Sequence, residues 1–303
     1  MRNTFINTLC DLAASNPDVF LLCGDLGYSV LEPFAERFPE RYLNAGIAEQ
    51  NMTQVAVGLA REGYNVFTYS IGNFPTLRCM EQIRYDVCYH QSNVKIVAVG
   101  SGYAYGSQGV SHHTTEDLAM LRSLPNMTIC TPADPIEAKL AAEYMVNLKG
   151  PGYIRINKSG EPTIHQPGTL ATITPGYFTQ VLQGVDTVVI TTGAILGSII
   201  SEIKDLGLNW AVYSSPFIGG YSNESLLELV DQFEHWVTVE EHQLNGGFGS
   251  SIVESLNDLY ANGVISSMPK VRRIGIPNIF ISYAGSQDYL RRASGLSLLN
   301  IIK

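Results

Sequence analysis

A disulfide framework has little to build on in this sequence. Its five cysteines (Cys10, Cys23, Cys79, Cys88, Cys130) are scattered, odd in number and form no C-x-x-C pair. That is the pattern of reduced core thiols in a cytoplasmic protein. No apolar run approaches the roughly 20 residues that a membrane span needs. The stretch Met1-Arg-Asn-Thr-Phe-Ile-Asn7 lacks the apolar core of a signal peptide. A soluble chain with no membrane partner is expected. Charge is sparse, at 16% of residues, and its net value is −9. Nucleic acid and anionic membrane are thereby excluded as main partners. A phosphorylated ligand is not excluded, because local Arg, His and backbone donors can bind one inside an acidic protein. Tandem repeats and low-complexity tracts are also missing.

What is present is an ordinary globular composition. Of 303 residues, 45% are hydrophobic, enough for about two domains with ample core. Apolar residues Phe5, Leu9, Leu12 and Ala13 recur at helical spacing and predict a helix over 3–15, stopped by Asn16-Pro17. Buried strands follow at 19–23, 42–43, 65–69, 94–99, 127–130 and 152–156. Between them, helices are predicted at 33–38, 50–61, 76–90, 116–122 and 134–148. This alternation predicts an α/β fold, a mostly parallel sheet with helices on both faces. The Pro- and Gly-rich run 158–173 reads as a linker. A shorter α/β series then places strands at 186–191, 210–213, 236–239 and 272–276. Two doubly wound domains are expected: 1–160, a linker at 161–175, and a smaller domain at 176–303.

Ligands of parallel sheets sit beyond the C-terminal strand ends. That rule gathers Asp25, Glu49, Ser70 to Phe74 and the 100–115 loop on one rim. Glu49 stands out, lying between the turn at Gly46 and the apolar run Val55–Ala60. A carboxylate entering an apolar environment is costly unless something accepts its charge or its proton. The alternative is a glutamate in the first turn of a helix, favoured by the dipole.

With that rim assembled, the chain resembles the C-terminal half of a transketolase over essentially its whole length. The matching pieces, in order, are Gly24-Asp25, Gly46-Ile-Ala-Glu49-Gln, Gly109-Val-Ser-His112-His, Pro125-Asn-Met, Pro132-Ala-Asp-Pro135 and Glu240-Glu-His … Gly246-Gly-Phe-Gly249. The resemblance implies a pyrimidine-binding domain for thiamine diphosphate followed by a transketolase C-terminal domain. It also implies a partner, an N-terminal subunit that holds the diphosphate and Mg2+, in an α2β2 assembly. The expected reaction moves a two-carbon ketol unit from a ketose, or ketose phosphate, to an aldose-type acceptor. In this family a buried glutamate at the Glu49 position shares a proton with the pyrimidine ring.

The resemblance also assigns the other residues. Phe74, rather than Tyr69, supplies an aromatic floor for the pyrimidine, and Asp25 and Ser70 lie on the cofactor side. His112 contacts substrate hydroxyls and a developing alkoxide, while His113 is structural. Arg2, Ser29 and Gln108 fall on the substrate side, and no metal is assigned to this chain. Arg155 and Lys158 both lie near a family phosphate-binding arginine. Two positions depart from the pattern: Gly100 stands where transketolases usually have His, and Gln108 where they usually have Asp. An acceptor other than a simple pentose phosphate is expected. The Glu240–Gly249 stretch reads as structural. Alternatives are the β subunit of a 2-oxo acid dehydrogenase, a relative of deoxyxylulose-phosphate synthase, and a non-catalytic assembly subunit of the same fold.

Overall fold

The computed structural model describes residues 1–302. Strands β1 (Val19–Cys23), β2 (Tyr42–Asn44), β3 (Asn65–Ile71), β4 (Val94–Val99), β5 (Thr128–Cys130) and β6 (Gly152–Ile156) form one sheet. Its order is β2-β1-β3-β4-β6-β5, and every pairing is parallel. The central strands are buried along nearly their whole length. A parallel sheet covered on both faces requires this, and it explains the unbroken apolar runs in the sequence. Helices α1 (Arg2–Ser15), α2 (Glu32–Arg37), α3 (Glu49–Arg61), α4 (Met80–Gln82), α5 (Asp117–Arg122) and α6 (Pro135–Asn147) complete this first layer system.

The expected helix over 76–90 is broken into three windings. A 3₁₀ turn at Leu77–Cys79 leads into α4, which runs on as a π-helix over Ile83–Tyr89. The wider π winding keeps Ile83, Val87 and Cys88 all against the core.

The second sheet has the order β11-β10-β8-β9-β7. Its strands are β7 (Thr179–Leu182), β8 (Val188–Thr191), β9 (Ala211–Ser214), β10 (His235–Gln243) and β11 (Lys270–Ile276), with helices α7 (Leu196–Asp205), α8 (Asn223–Gln232), α9 (Phe248–Ala261) and α10 (Gln287–Ala293). The sequence reading omits β7. It is a short, half-exposed edge strand that pairs antiparallel to β9, so it carries no apolar run. Among the described residues no helix is long and apolar enough to cross a membrane.

The Pro/Gly-rich connection is pinned rather than free. The backbone amides of Ile164 and His165 both donate to Asp134 Oδ2 at 2.8 Å. The same Asp134 caps α6 through Glu137 N, at 2.8 Å. The two sheets also share a buried polar joint. Arg155, 3% exposed, donates through Nε to Asp117 Oδ2 at 2.7 Å and through a terminal nitrogen to the backbone oxygens of Thr114 and Glu241. Tyr153 donates to the same Asp117 oxygen at 2.6 Å. Replacing Asp117 by Ala leaves a buried guanidinium uncompensated. The expected loss is about 3–5 kcal/mol of stability, read from the shift in chemical denaturation midpoint.

Candidate active site

The parallel register brings the C-terminal ends of β1 to β4 to one edge: Cys23 lies opposite Asn44 and Tyr69, and Tyr69 opposite Val97. The loops that leave this edge carry the candidate residues. Glu49 opens α3 and is 1% exposed. Gly24, just past β1, lies against it, such that a Cβ there would meet Glu49 Cγ and Oε1 at 3.4 Å. The Glu49 carboxylate is paired with Arg78, Nη1 to Oε2 at 2.6 Å. The Arg78 guanidinium lies over the ring of Phe74, 4.7 Å from its centroid. Phe74 meets the edge of His112 at 5.3 Å, and His112 meets Tyr105 at 6.4 Å. Lys158 Nζ sits 5.8 Å from the Tyr105 ring. A carboxylate, an aromatic face, an imidazole and a cationic end therefore follow one another along the rim.

The electrostatics differ along this row. Partial burial lowers the pKa of His112, so its ring is neutral at neutral pH. Its Nδ1 is 2.9 Å from Ser111 Oγ, and Nε2 is left for an incoming group. His113 makes different contacts. It is buried, packs edge-on against Tyr103 at 5.1 Å, and its carbonyl accepts from Asn73 Nδ2 at 2.5 Å. Burial raises the Tyr105 phenol, opposed by the nearby Arg2 guanidinium.

Of the residues singled out from the sequence, Glu49, Phe74 and His112 converge, and Arg2 is near enough to Tyr105 to counter the rise of its phenol. Tyr69 is 1% exposed and belongs to the core. Ser70 is fully buried beside the site, and its Oγ has no hydrogen-bond partner. Asp25 is exposed with φ of 56°, and its carboxylate accepts from Asn44 Nδ2 at 3.0 Å and Tyr28 Oη at 3.3 Å. In this structure it organises the turn after β1. Ser29 is exposed with φ of 61°, its amide donating to Glu32 Oε1 at 2.7 Å. Gln108 is exposed at the end of a 3₁₀ turn. Among the described residues no side-chain hydrogen bond links any of these three to the Glu49–His112 row.

Arg155 and Lys158 differ in burial. Arg155 is consumed by Asp117, while Lys158 is exposed at the cationic end. Gly100 has φ of +94°, and a Cβ there would come within 2.2 Å of the Tyr105 ring. Tyr105 thus fills the space that a side chain at position 100 would use. Arg78 is missing from the residues the sequence singles out, because on a stretch that reads as a plain helix it looks like one more surface charge.

The Glu240–Gly249 stretch works at a distance. Glu240, raised by burial to about 7, caps α9 by accepting from Phe248 N and Gly249 N. Glu241 reaches the 100–115 loop, accepting from Tyr103 N at 2.7 Å while clamped by Arg291 at 2.6 Å.

Comparisons with known proteins identify the family. Residues 1–162 match the family described as "Transketolase, pyrimidine binding domain", and residues 176–301 match "Transketolase, C-terminal domain". The chain belongs to the transketolase family. It is 33% identical to a putative transketolase C-terminal section of Methanocaldococcus jannaschii, covering 100% of this chain and 94% of that one. It is 30% identical to a subunit of the apulose-4-phosphate transketolase of Phocaeicola vulgatus, over 95% of this chain and 90% of the relative. Among solved structures it resembles a split gene transketolase, described as an inactive beta4 tetramer. The TM-score is 0.86 at 31% identity, covering 99% and 95% of the two chains.

The histidines offer a direct check on the electrostatics. In an NMR titration the His112 and His113 imidazoles should titrate below the free value of about 6.5, because burial disfavours the cation. His165 should titrate above it, since Asp134 and Glu137 outweigh its burial. The reverse order would contradict the arrangement.

Proposed function

We propose that this chain is the C-terminal subunit of a heteromeric transketolase that moves a two-carbon ketol unit from a ketose, or ketose phosphate, to an aldose-type acceptor. The observation that carries this reading is the buried Glu49 carboxylate beside the half-buried face of Phe74, at the C-terminal edge of a parallel sheet. Those groups fit an aminopyrimidine. Phe74 would offer a face for offset stacking of the ring, the carboxylate would reach a ring nitrogen, and the buried Ser70 hydroxyl near the C-terminal end of β3 has no hydrogen-bond partner. Thiamine diphosphate, when bound, supplies the carbon nucleophile that breaks and makes the C–C bond.

The residues of this chain do the rest. Glu49 holds a proton at the pyrimidine nitrogen. Phe74 fixes the ring plane. His112, neutral and with Nε2 free, donates to or accepts from a substrate hydroxyl where charge develops. Lys158 and Arg2 at the far end suit a phosphate or another anionic group on the sugar. Tyr105, packed over Gly100, narrows that end and selects an acceptor different from a simple pentose phosphate.

The two relatives, one named as a transketolase subunit and one as a transketolase C-terminal section, are matched over 90% and 94% of their length. That supports an N-terminal partner subunit holding the diphosphate and Mg2+, with the site at the interface. A two-fold α2β2 assembly is the simplest closed arrangement. Residues 1–160 are assigned to pyrimidine binding and 176–303 to assembly and loop support.

The test is ketol transfer by the complex of this chain with its diphosphate-binding subunit. Glu49→Ala should lower turnover by about 10²- to 10⁴-fold, and ribose 5-phosphate should be a poor acceptor. Unchanged turnover in Glu49→Ala would leave only a scaffold role for this chain.

A further inference from the structure

Arg78 and the aminopyrimidine require the same two surfaces. A guanidinium is planar and delocalised, donates to a carboxylate and stacks on an aromatic face. Those are the two contacts assigned above to the pyrimidine ring. In this structure Arg78 makes both. Its Nη1 is 2.6 Å from Glu49 Oε2, and its guanidinium carbon is 4.7 Å from the Phe74 centroid. No other side chain among the described residues donates a hydrogen bond to the Glu49 carboxylate.

We infer that Arg78 is an internal stand-in for the cofactor's pyrimidine, holding Glu49 and Phe74 in the isolated chain and swinging out when the cofactor enters. The inference rests on the reading of Glu49 and Phe74 given under Proposed function.

The local structure permits this exchange. The Arg78 backbone is anchored, its carbonyl accepting from Gln50 Nε2 at 3.2 Å. The neighbouring Cys79 is fully buried. The Arg78 side chain, by contrast, is 44% exposed while Glu49 is 1% exposed. The backbone is thus fixed and the long side chain has solvent to move into. The physical reason for such a device is charge compensation. An ionised carboxylate buried without a partner is strongly unfavourable, and a half-site that waits for a partner subunit has no cofactor to supply one. The consequence is competition: cofactor affinity is reduced by the fraction of molecules in which Arg78 occupies the site.

Two measurements test this, neither of which reads turnover. The first is thermal unfolding of the full chain with and without 4-amino-5-(hydroxymethyl)-2-methylpyrimidine, the pyrimidine half of the cofactor. Arg78→Ala should melt below the wild type and recover when this compound is added at millimolar concentration. The wild type, its site filled by Arg78, should shift little. The second is calorimetric titration of thiamine diphosphate with Mg2+ into the complex with the partner subunit. Arg78→Ala should bind about tenfold more tightly than wild type. Arg78→Lys keeps the charge beside Glu49 without the planar stack. It covers the case in which the alanine variant does not fold, and it should bind at least as tightly as wild type.

Weaker binding in either variant overturns the inference, since Arg78 would then hold the cofactor rather than replace it. An equal pyrimidine-induced shift in wild type and Arg78→Ala also overturns it. Failure of the underlying reading looks different, because Glu49→Ala would then leave turnover unchanged whatever Arg78 does.

Discussion

A carboxylate with 1% of its surface exposed has to be neutralised, and the structure around Glu49 is arranged by that requirement. Three features surround Glu49. The residue opens α3, where the helix dipole favours negative charge. It lies against Gly24 at the end of β1. It is paired with Arg78, which in turn rests on Phe74. Each feature comes from a different crossover of one parallel sheet, so the site exists only when β1, β2 and β3 are in register. In isolation Glu49 would be a costly residue. The role proposed for it, half of a cofactor site, would give that buried carboxylate a partner other than Arg78.

The second sheet reaches this site through the 100–115 loop. Glu241 accepts from Tyr103 N, and Arg291 clamps Glu241 from α10. Arg155 meanwhile ties Asp117, Thr114 and the Glu241 carbonyl together across the joint. The loop that carries His112 is thus held at both ends by buried charge. An imidazole on a loop keeps its geometry only when its support is rigid. That gives the stretch that reads as structural in the sequence an indirect part in holding the 100–115 loop.

The legible part of the fold is the part written in apolar runs. The strands of the first sheet are buried on both faces, so each appears as a continuous hydrophobic segment. Edge strand β7 carries no such run and leaves no signal. The 76–90 segment looks like one helix because charge and bulk alternate along it, and the π winding that holds Ile83, Val87 and Cys88 inward comes from tertiary packing. Within the site, Glu49 is legible because an acid beside an apolar run is conspicuous. Arg78 is not, since a surface arginine is ordinary until its neighbours are known. Arg155 and Lys158 lie close in sequence but differ completely in burial, which spacing alone does not separate. Gly100 is visible as a departure, but only the structure shows that Tyr105 fills the space above it.

The central claim is that this chain holds half of a thiamine diphosphate site that a second subunit completes. Calorimetric titration of thiamine diphosphate with Mg2+ tests it most directly, first into this chain alone and then into its mixture with the diphosphate-binding subunit. Tight binding only in the mixture is the predicted result. Tight binding to the chain alone would place the diphosphate site here and contradict the split, and no binding in either case would remove the cofactor from Glu49 altogether.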